Sequence, residues 1–421
     1  MMADDVRQAL AAAVRERSDE LVAICSRLVR VPSENPPSDT RAVAEAVGEI
    51  LGQIPGIELS YPMLEKPVAN LVARIRGRRT GRRLVFNGHL DTFPVGDRQT
   101  WTVDPFGGEL VGDRLYGRGA ADMKGGIACH ILAFMLLAGC REAWSGELVI
   151  TLAGDEESMG VLGTKYLLDT VPHAAGDAMI SGDIGTSRVL RFGEKGLLWF
   201  ELAAVGKAGH GAHVHRGINA IDRLVAGMAK LKMALEGMPV ASPPEVAAAI
   251  AAAGQLSESL SGAGETEVLQ RVTVNFGMIE GGSSPNLIPA AALTRGDIRI
   301  PAGVTLAEAE AEAQAAVGSL DGLTFRTVRS WAPNWSDPGH EIFALAAQNC
   351  RAVWGQEVAT NMRVGASDAR LYRLLKAVPS VNCGLHGYNF GGPDEYIEVG
   401  DLIKLATIHT LTAYDYLHTD K

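Results

Sequence analysis

Short apolar runs alternate with helical segments over much of the first 180 residues, and this alternation restricts the fold more than any other feature. The first 55 residues are predicted to be helical. Buried strands are then predicted at 70–75, 83–86, 147–152 and 178–180, and helices at 125–137 and 163–169. Strands of this kind interleaved with helices indicate an α/β domain with a mixed, mostly parallel sheet flanked by helices.

The pattern changes near Arg191. The sequence then predicts a strand at 197–205, a helix at 218–235, strands at 272–279 and 292–299, a helix at 306–320 and a strand at 324–331. This order is typical of a ferredoxin-like α+β unit. Because the first pattern resumes after Pro333, we predict a large domain of residues 1–191 and 335–421, interrupted by an inserted domain of residues 192–334.

Charge and cysteine content limit the function classes. The net charge of −10 argues against a nucleic-acid partner bound through phosphate contacts. The five cysteines include no CxxC pair, which predicts reduced thiols in a cytoplasmic protein. The N-terminal sequence lacks the features of a signal peptide, and the longest apolar run, 127–140, is too short to span a bilayer. We therefore expect a cytoplasmic protein that binds neither nucleic acid nor membrane.

Four polar clusters each follow an apolar run that predicts a strand. They are Asn87–Asp91 (NGHLD), Tyr116–Gly126 (YGRGAADMKGG), Gly154–Glu157 (GDEE) and Ser181–Asp183 (SGD). Loops after the carboxyl ends of strands are where open α/β sheets bind ligands. Taken singly, each cluster also fits a surface turn. Asp122 in the second cluster also fits a helix N-cap.

The first and third clusters suggest how a metal site could work. His89 and Asp91 are two residues apart in an extended segment, so His89 can bind a metal while Asp91 orients its ring. Glu156 and Glu157 are adjacent, so one can bind metal while the other acts as general base.

All four clusters together provide nitrogen and oxygen ligands for a divalent transition metal, because Asp122 and Asp183 add two more carboxylates. The competing motifs GxxxxGK[ST], GxSxG and HExxH do not occur in the sequence.

The clusters, in this order, resemble the motifs of the M20 metallopeptidase family of aminoacylases, carboxypeptidases and succinyl-diaminopimelate desuccinylase-like amidohydrolases. The resemblance extends over nearly the whole chain and includes GHLDTFPVGD, GDEESMGVLG, GKAGHGAHVHRGINA, GGSSPNLIP, GASDAR and GPDEYIEV. It implies a hydrolase that cleaves a carbon–nitrogen bond of a small molecule with a metal-activated water, as a deacylase or as an exopeptidase. One or two divalent metals per chain, zinc or manganese, are implied.

The resemblance also implies a role for each matching position. The implied roles are His89 and Asp183 as ligands of one metal, Asp122 as a bridge, Glu157 as ligand of a second metal, Glu156 as general base and Asp91 as support for His89. In the inserted domain, His210 is implied to reach the active site of a partner subunit and to polarise the scissile group there. Asn286 and Arg299 are implied to lie near the substrate. The inserted domain is thereby implied to be a lid that forms a homodimer or a higher homo-oligomer.

One departure from the family pattern affects the second metal. The family usually has a metal-binding histidine two residues before the proline of a PxEY-like sequence, and Gly391 occupies that position here. In one interpretation His386 replaces the missing ligand. In another, the enzyme uses a single metal and deaminates an aromatic amine, as in the nitroanthranilate aminohydrolase branch. A third interpretation, from another class, is a non-catalytic binding protein that retains the fold.

Overall fold

A computed structural model describes residues 3–418 and contains two compact units. Unit 1 comprises the chain up to Phe192, Ser336–Asn361 and the residues from Ser367 onwards. Unit 2 comprises Gly193–Trp335 together with Met362–Ala366. The sequence did not predict that the short segment 362–366 would group with the inserted residues.

The helices, in chain order, are α1 (Ala3–Glu16), α2 (Ser18–Val29), α3 (Arg41–Leu51), α4 (Gly125–Gly139), α5 (Tyr166–Thr170), α6 (Ala220–Glu236), α7 (Pro244–Ser261), α8 (Glu265–Leu269), α9 (Leu306–Gly318), α10 (Glu341–Trp354), α11 (Ala369–Lys376) and α12 (Val399–His418). The strands are β1 (Glu58–Ser60), β2 (Leu71–Arg76), β3 (Arg83–His89), β4 (Glu109–Val111), β5 (Arg114–Tyr116), β6 (Glu147–Ala153), β7 (Ala178–Ser181), β8 (Val189–Glu194), β9 (Gly196–Val205), β10 (Gly209–His210), β11 (Thr273–Gly281), β12 (Leu287–Ile288), β13 (Ala291–Ile300), β14 (Leu323–Trp331), β15 (Asn334–Trp335), β16 (Ala359–Arg363), β17 (Ser380–Asn382) and β18 (Tyr396–Glu398).

The main sheet of unit 1 has the strand order β1-β2-β6-β3-β7-β17-β8, and β16 also pairs with β8. The four central strands β6, β3, β7 and β17 are parallel to one another. The outer pairs β1–β2, β2–β6 and β17–β8 are antiparallel. The predicted α/β class with a mixed sheet is confirmed, and the parallel pairing is confined to the centre of the sheet.

Unit 1 also contains a small antiparallel sheet of order β18-β5-β4. Tyr396 at the start of β18 lies opposite Tyr116 at the end of β5. Because the two strands are antiparallel, the chain that enters β18 lies beside the chain that leaves β5. This pairing brings the C-terminal sequence GGPDE against the loop GRGAAD.

Helix α4 forms the centre of the unit 1 core. It is apolar around most of its circumference, and it packs against α2, α12 and strands β3 and β6. Among residues 3–418, the one helical stretch long and apolar enough to cross a membrane is Ala120–Gly139. Its apolar 18-residue segment is 94% buried inside the protein. A helix that is hydrophobic all round is typical of the core of a large domain.

Two histidines stack inside this core. The rings of His130 in α4 and His409 in α12 are 4.8 Å apart between centroids, and His130 also stacks on Phe86 of β3 at 4.5 Å. His409 Nε2 donates a hydrogen bond to the Cys383 carbonyl at 2.8 Å. Burial lowers the pKa of both imidazoles, and it lowers that of His409 to about 4.

We expect the free energy of unfolding to fall as the pH is lowered from 6.5 towards 4. The folded-state pKa of each histidine lies below its usual value of 6.5, so only the unfolded chain binds these protons in that window. His409 alone lowers the free energy of unfolding by about 3 kcal/mol by pH 4. Above the pKa of the unfolded chain it causes no loss of stability. Urea unfolding at several pH values, with chelator present throughout, measures this dependence. A His409→Asn variant with an unchanged pH slope would contradict it.

Unit 2 contains a four-stranded antiparallel sheet of order β11-β13-β9-β14, with α6 and α9 packed on it. The element order β9-α6-β11-β13-α9-β14 is the ferredoxin-like order that the sequence predicted. Its core includes Leu198, Phe200, Leu202, Leu224, Leu231, Ile298 and Phe325. The alanine-rich stretch 241–267, whose structure the sequence did not predict, forms most of α7 and α8.

Candidate metal centre

Three of the polar clusters lie at the carboxyl edge of the parallel strands in unit 1. His89 is the last residue of β3, Glu156 and Glu157 form a turn just after β6, and Asp183 follows β7. Because β6, β3 and β7 are neighbours in the sheet, their carboxyl ends bring these side chains to one place.

Asp122 reaches the same place by a different route, although its cluster also follows a strand, as predicted. Strand β5, which precedes it, belongs to the small sheet and ends at Tyr116. Asp122 lies in the kinked segment before α4 with φ −123° and ψ 91°, and Lys124 is the residue at the N-cap. The alternative of Asp122 as a helix N-cap is therefore wrong.

His89, Asp122 and Asp183 form a compact buried group. His89 Nε2 lies 3.0 Å from Asp122 Oδ1 and 4.0 Å from Asp183 Oδ1. One ligand atom from each of the three residues lies within 4.8 Å of the other two. Ligands bound at about 2.0–2.2 Å from a shared cation have this mutual spacing. The group can therefore hold one divalent metal.

The orientation of His89 is fixed by Asp91. His89 Nδ1 lies 2.9 Å from the Asp91 carbonyl oxygen, so an Nδ1–H that donates there leaves Nε2 available to a metal. Burial lowers the pKa of His89, but hydrogen bonds with Asp122 and Asp91 more than offset this and raise it well above its usual value. A metal at this position would replace the proton on Nε2.

Asp91 also fixes the turn that carries the two glutamates. Its Oδ1 accepts a hydrogen bond from the Glu156 backbone N–H, and its Oδ2 accepts one from that of Glu157, both at 3.1 Å. The Asn35 side chain donates a third bond to Oδ2 at 2.8 Å. The sequence did not single out Asn35, which lies in the proline-rich turn between α2 and α3.

Glu156 and Glu157 are in an environment that favours a nearby cation. Burial raises the pKa of Glu156 to about 8, and burial together with the charge of Asp122 raises that of Glu157 to about 10. Glu157 Oε1 is buried and has no hydrogen-bond partner within residues 3–418. Carboxylates that disfavour one another's ionisation are stabilised by a divalent cation, so the donor set fits a metal.

Arg370 is a second residue that the sequence did not assign to the site. Its guanidinium is 1% exposed, and Nη1 lies 3.3 Å from Glu156 Oε1. Arg370 belongs to the GASDAR motif near the start of α11. The contact orients the Glu156 carboxylate from the side of α11.

A buried ion pair between Arg118 and Glu395 holds the Asp122 segment in place. Both side chains are 1% exposed. Glu395 Oε1 accepts hydrogen bonds from the backbone N–H groups of Ala121 at 2.9 Å and Asp122 at 3.4 Å. Sequence reasoning missed this pair, although each residue lies in a motif quoted above, because the two are 277 positions apart.

The structure does not bring His386 into the group around His89. The imidazole is exposed and packs edge-on against Tyr388, with 4.6 Å between ring centroids. Within residues 3–418, the one convergent set of three or more potential metal ligands is His89, Asp122 and Asp183.

The three remaining candidate residues lie in unit 2. His210 on β10 and Asn286 are close, since Leu287 pairs with His210 and the Gly211 N–H donates to the Asn286 carbonyl at 2.7 Å. Arg299 lies near the far end of β13, eight residues or about 26 Å from the start of that strand, and it pairs with Asp297 at 2.7 Å. Their contacts with substrate stay predictions.

The chain is similar to known proteins over most of its length. Residues 85–415 match the model of peptidase family M20/M25/M40. The chain is 30% identical over 401 residues to the succinyl-diaminopimelate desuccinylase of Rhodospirillum centenum. The aligned region covers 92% of this chain and 95% of the relative.

Two solved structures show the same fold. An M20 family metallo-carboxypeptidase from Sulfolobus solfataricus is 19% identical, with a TM-score of 0.77 and coverage of 95% of this chain and 99% of that one. A dinuclear metal-binding M20 peptidase from Bacillus subtilis is 15% identical, with a TM-score of 0.65 and coverage of 96% and 99%.

Proposed function

We propose that this chain, which belongs to peptidase family M20/M25/M40 and is a metal-dependent hydrolase of carbon–nitrogen bonds, hydrolyses the amide bond of a small N-acyl amino acid. The observation that carries the proposal is the convergence of His89, Asp122 and Asp183 beside Glu156, whose side chain is 12% exposed and contacts Arg370. The 30% identity to a desuccinylase over nearly the whole chain supports an acylated amino acid as the substrate class.

The residues divide the chemistry between them. His89, Asp122 and Asp183 would hold a divalent metal, which would supply Lewis acidity for the amide carbonyl and for the attacking water. Glu156 accepts the proton of the attacking water and passes it to the leaving nitrogen as the carbon–nitrogen bond breaks. Burial raises the pKa of the Glu156 carboxyl, which makes it a stronger proton acceptor than an exposed glutamate. Arg370 holds the carboxylate in place for both steps.

The alternatives are not favoured. Hydrolytic deamination of an aromatic amine was suggested only by Gly391, and the relatives named above act on amides or peptides. A non-catalytic binding protein would not need a buried general base beside a ligand group, yet Glu156 and Glu157 are both present. An exopeptidase cleaves the same type of bond and is distinguished by its products.

We expect chelator-treated enzyme to be inactive and to regain turnover when zinc or manganese is added back. Loss of the metal removes the Lewis acid, so amine release from N-succinyl and N-acetyl amino acids should drop by at least about 100-fold. The assay should include dipeptides and nitroanthranilate as competing substrates. Ammonia release from the arylamine, or no amide hydrolysis by the reloaded enzyme, would contradict the proposal.

Further features support proposals about assembly and location. Strand β11 is at the edge of the unit 2 sheet, and its Met278 and Ile279 are 54% and 59% exposed. We propose that unit 2 serves as a lid and forms a homodimer through this region, with His210, Asn286 and Arg299 as substrate contacts. The five cysteines are unpaired, which supports a cytoplasmic location.

A further inference from the structure

The group around His89 provides three ligands for one metal. A second metal ion beside it would have fewer protein ligands. Asp122 has a second carboxylate oxygen that could face such an ion. Glu157 has a buried oxygen, Oε1, that has no hydrogen-bond partner among the described residues. In the described part of the chain, no third imidazole, thiolate or carboxylate completes a set with these two.

Gly391 stands, in the sequence, where the family pattern has its metal-binding histidine. The β18–β5 pairing places residues 391–395 beside the loop that carries Asp122. Arg118 joins the two segments, since its Nη2 donates to the carbonyls of Gly391 at 3.1 Å and Gly392 at 3.0 Å while Nη1 pairs with Glu395. Arg118 therefore fixes the Gly391 backbone beside the loop that carries Asp122.

The space around Gly391 would accept a side chain. A Cβ built on Gly391 meets no atom closer than Phe93 Cδ2 at 4.0 Å. Its φ of +74° is left-handed, a conformation in which asparagine, aspartate and histidine are the most frequent non-glycine residues. Position 391 therefore has room for a side chain, in a backbone conformation that these three residue types adopt most often among non-glycine residues.

Among the described residues, the His386 side chain lies outside the convergent ligand group, although its backbone is close to Asp183. The Leu385 carbonyl accepts a hydrogen bond from the Gly185 N–H at 2.8 Å, and a Cβ on Gly384 would lie 1.7 Å from the Asp183 carbonyl. The backbone before His386 is therefore packed against the Asp183 segment. The imidazole itself is exposed on Tyr388.

We propose that this chain holds one metal ion tightly, at His89, Asp122 and Asp183, and that Gly391 leaves a second position with only the carboxylates of Asp122 and Glu157. The proposal rests on the proposed function only in taking this group as the metal centre. Two carboxylates without an imidazole bind zinc weakly and are better suited to harder ions such as manganese or magnesium. A histidine at position 391 would complete the second site.

The experiment is a metal count on the Gly391→His variant and on the unmodified protein. Each is stripped with chelator, incubated with excess zinc, passed through a desalting column and analysed for zinc per chain. We expect one zinc in the unmodified protein and two in Gly391→His. Titration calorimetry should show the second zinc bound at least about 100-fold more tightly in the variant, as expected for one added imidazole ligand.

Matched variants separate the ligand from the backbone. Gly391→Ala places a side chain at the same left-handed position but offers no imidazole. Gly392→His offers an imidazole one position away. Both variants should therefore retain one zinc. Gly391→Asp offers a carboxylate in a residue type tolerant of this φ, and it should also raise the count if Gly391→His is poorly folded.

Three results would overturn the proposal. The first is two tightly held zinc ions in the unmodified protein, and a His386→Ala variant that then loses one would identify His386 as the ligand. The second is a single zinc in folded Gly391→His and Gly391→Asp. The third is no retained zinc in the unmodified protein, which would also contradict a metal centre. Because the count needs no substrate, failure of amide hydrolysis alone would affect only the proposed function.

Discussion

The Glu156→Gln variant is expected to lose about 1,000-fold in kcat while it retains the metal content of the unmodified protein. Glutamine is nearly isosteric with glutamate, and its amide can neither accept the proton of water nor pass one to the leaving nitrogen. The metal group is untouched because His89, Asp122 and Asp183 do not include Glu156. Steady-state kinetics on the best N-acyl amino acid, with metal analysis of the same sample, measures both quantities.

A control and a contrary result complete this test. Glu142→Gln changes an exposed glutamate outside the site and should leave kcat unchanged. If Glu156→Gln kept more than about a tenth of the activity with full metal content, another group would have to be the base. If it lost metal together with activity, Glu156 would be a ligand rather than the base.

The Glu395→Gln variant is expected to lower the free energy of unfolding by about 3–5 kcal/mol. Glutamine can still accept from the Ala121 N–H, but it leaves the Arg118 guanidinium, 1% exposed, without a counter-charge. An unpaired buried charge is among the most destabilising changes that a single substitution can make. Urea unfolding of the two proteins at neutral pH gives the difference.

The exposed pair Arg27–Glu49 provides the matched control, since its side chains are 44% and 69% exposed. Glu49→Gln should change stability by less than about 1 kcal/mol. Replacing both partners of the buried pair, Arg118→Met with Glu395→Met, should cost less than Glu395→Gln alone, because no charge remains unpaired. A Glu395→Gln variant as stable as the Glu49→Gln control would show that Arg118 finds another partner.

The sequence predicted the elements whose patterns are local. The apolar run before His89 and the run before Glu156 each correspond to a central strand, β3 and β6, because burial on both faces requires continuous apolar residues. The ferredoxin-like order of unit 2 was also predictable from local patterns, because it depends on alternation within single strands and periodicity within single helices.

The features that the sequence did not predict depend on distant contacts. Asp122 could not be located by spacing, because β5 belongs to a sheet completed by β18 at the other end of the chain. Arg118 and Glu395 could not be paired because no local pattern connects them. The helices α7 and α8 were not predicted because alanine-rich sequence has helix propensity but little apolar periodicity.

The position of β17 affects how the chain folds while it is being synthesised. Residues 380–382 pair between β7 and β8, although about 200 residues separate them from β7 along the chain. A ribosome needs about 10 to 40 seconds to add those residues. Until then β7 has an unpaired edge, the kind of surface through which nascent chains aggregate. Unit 2, almost all of it one continuous segment, can fold during that interval, whereas the sheet that carries Asp183 is completed only after most of the polypeptide has emerged.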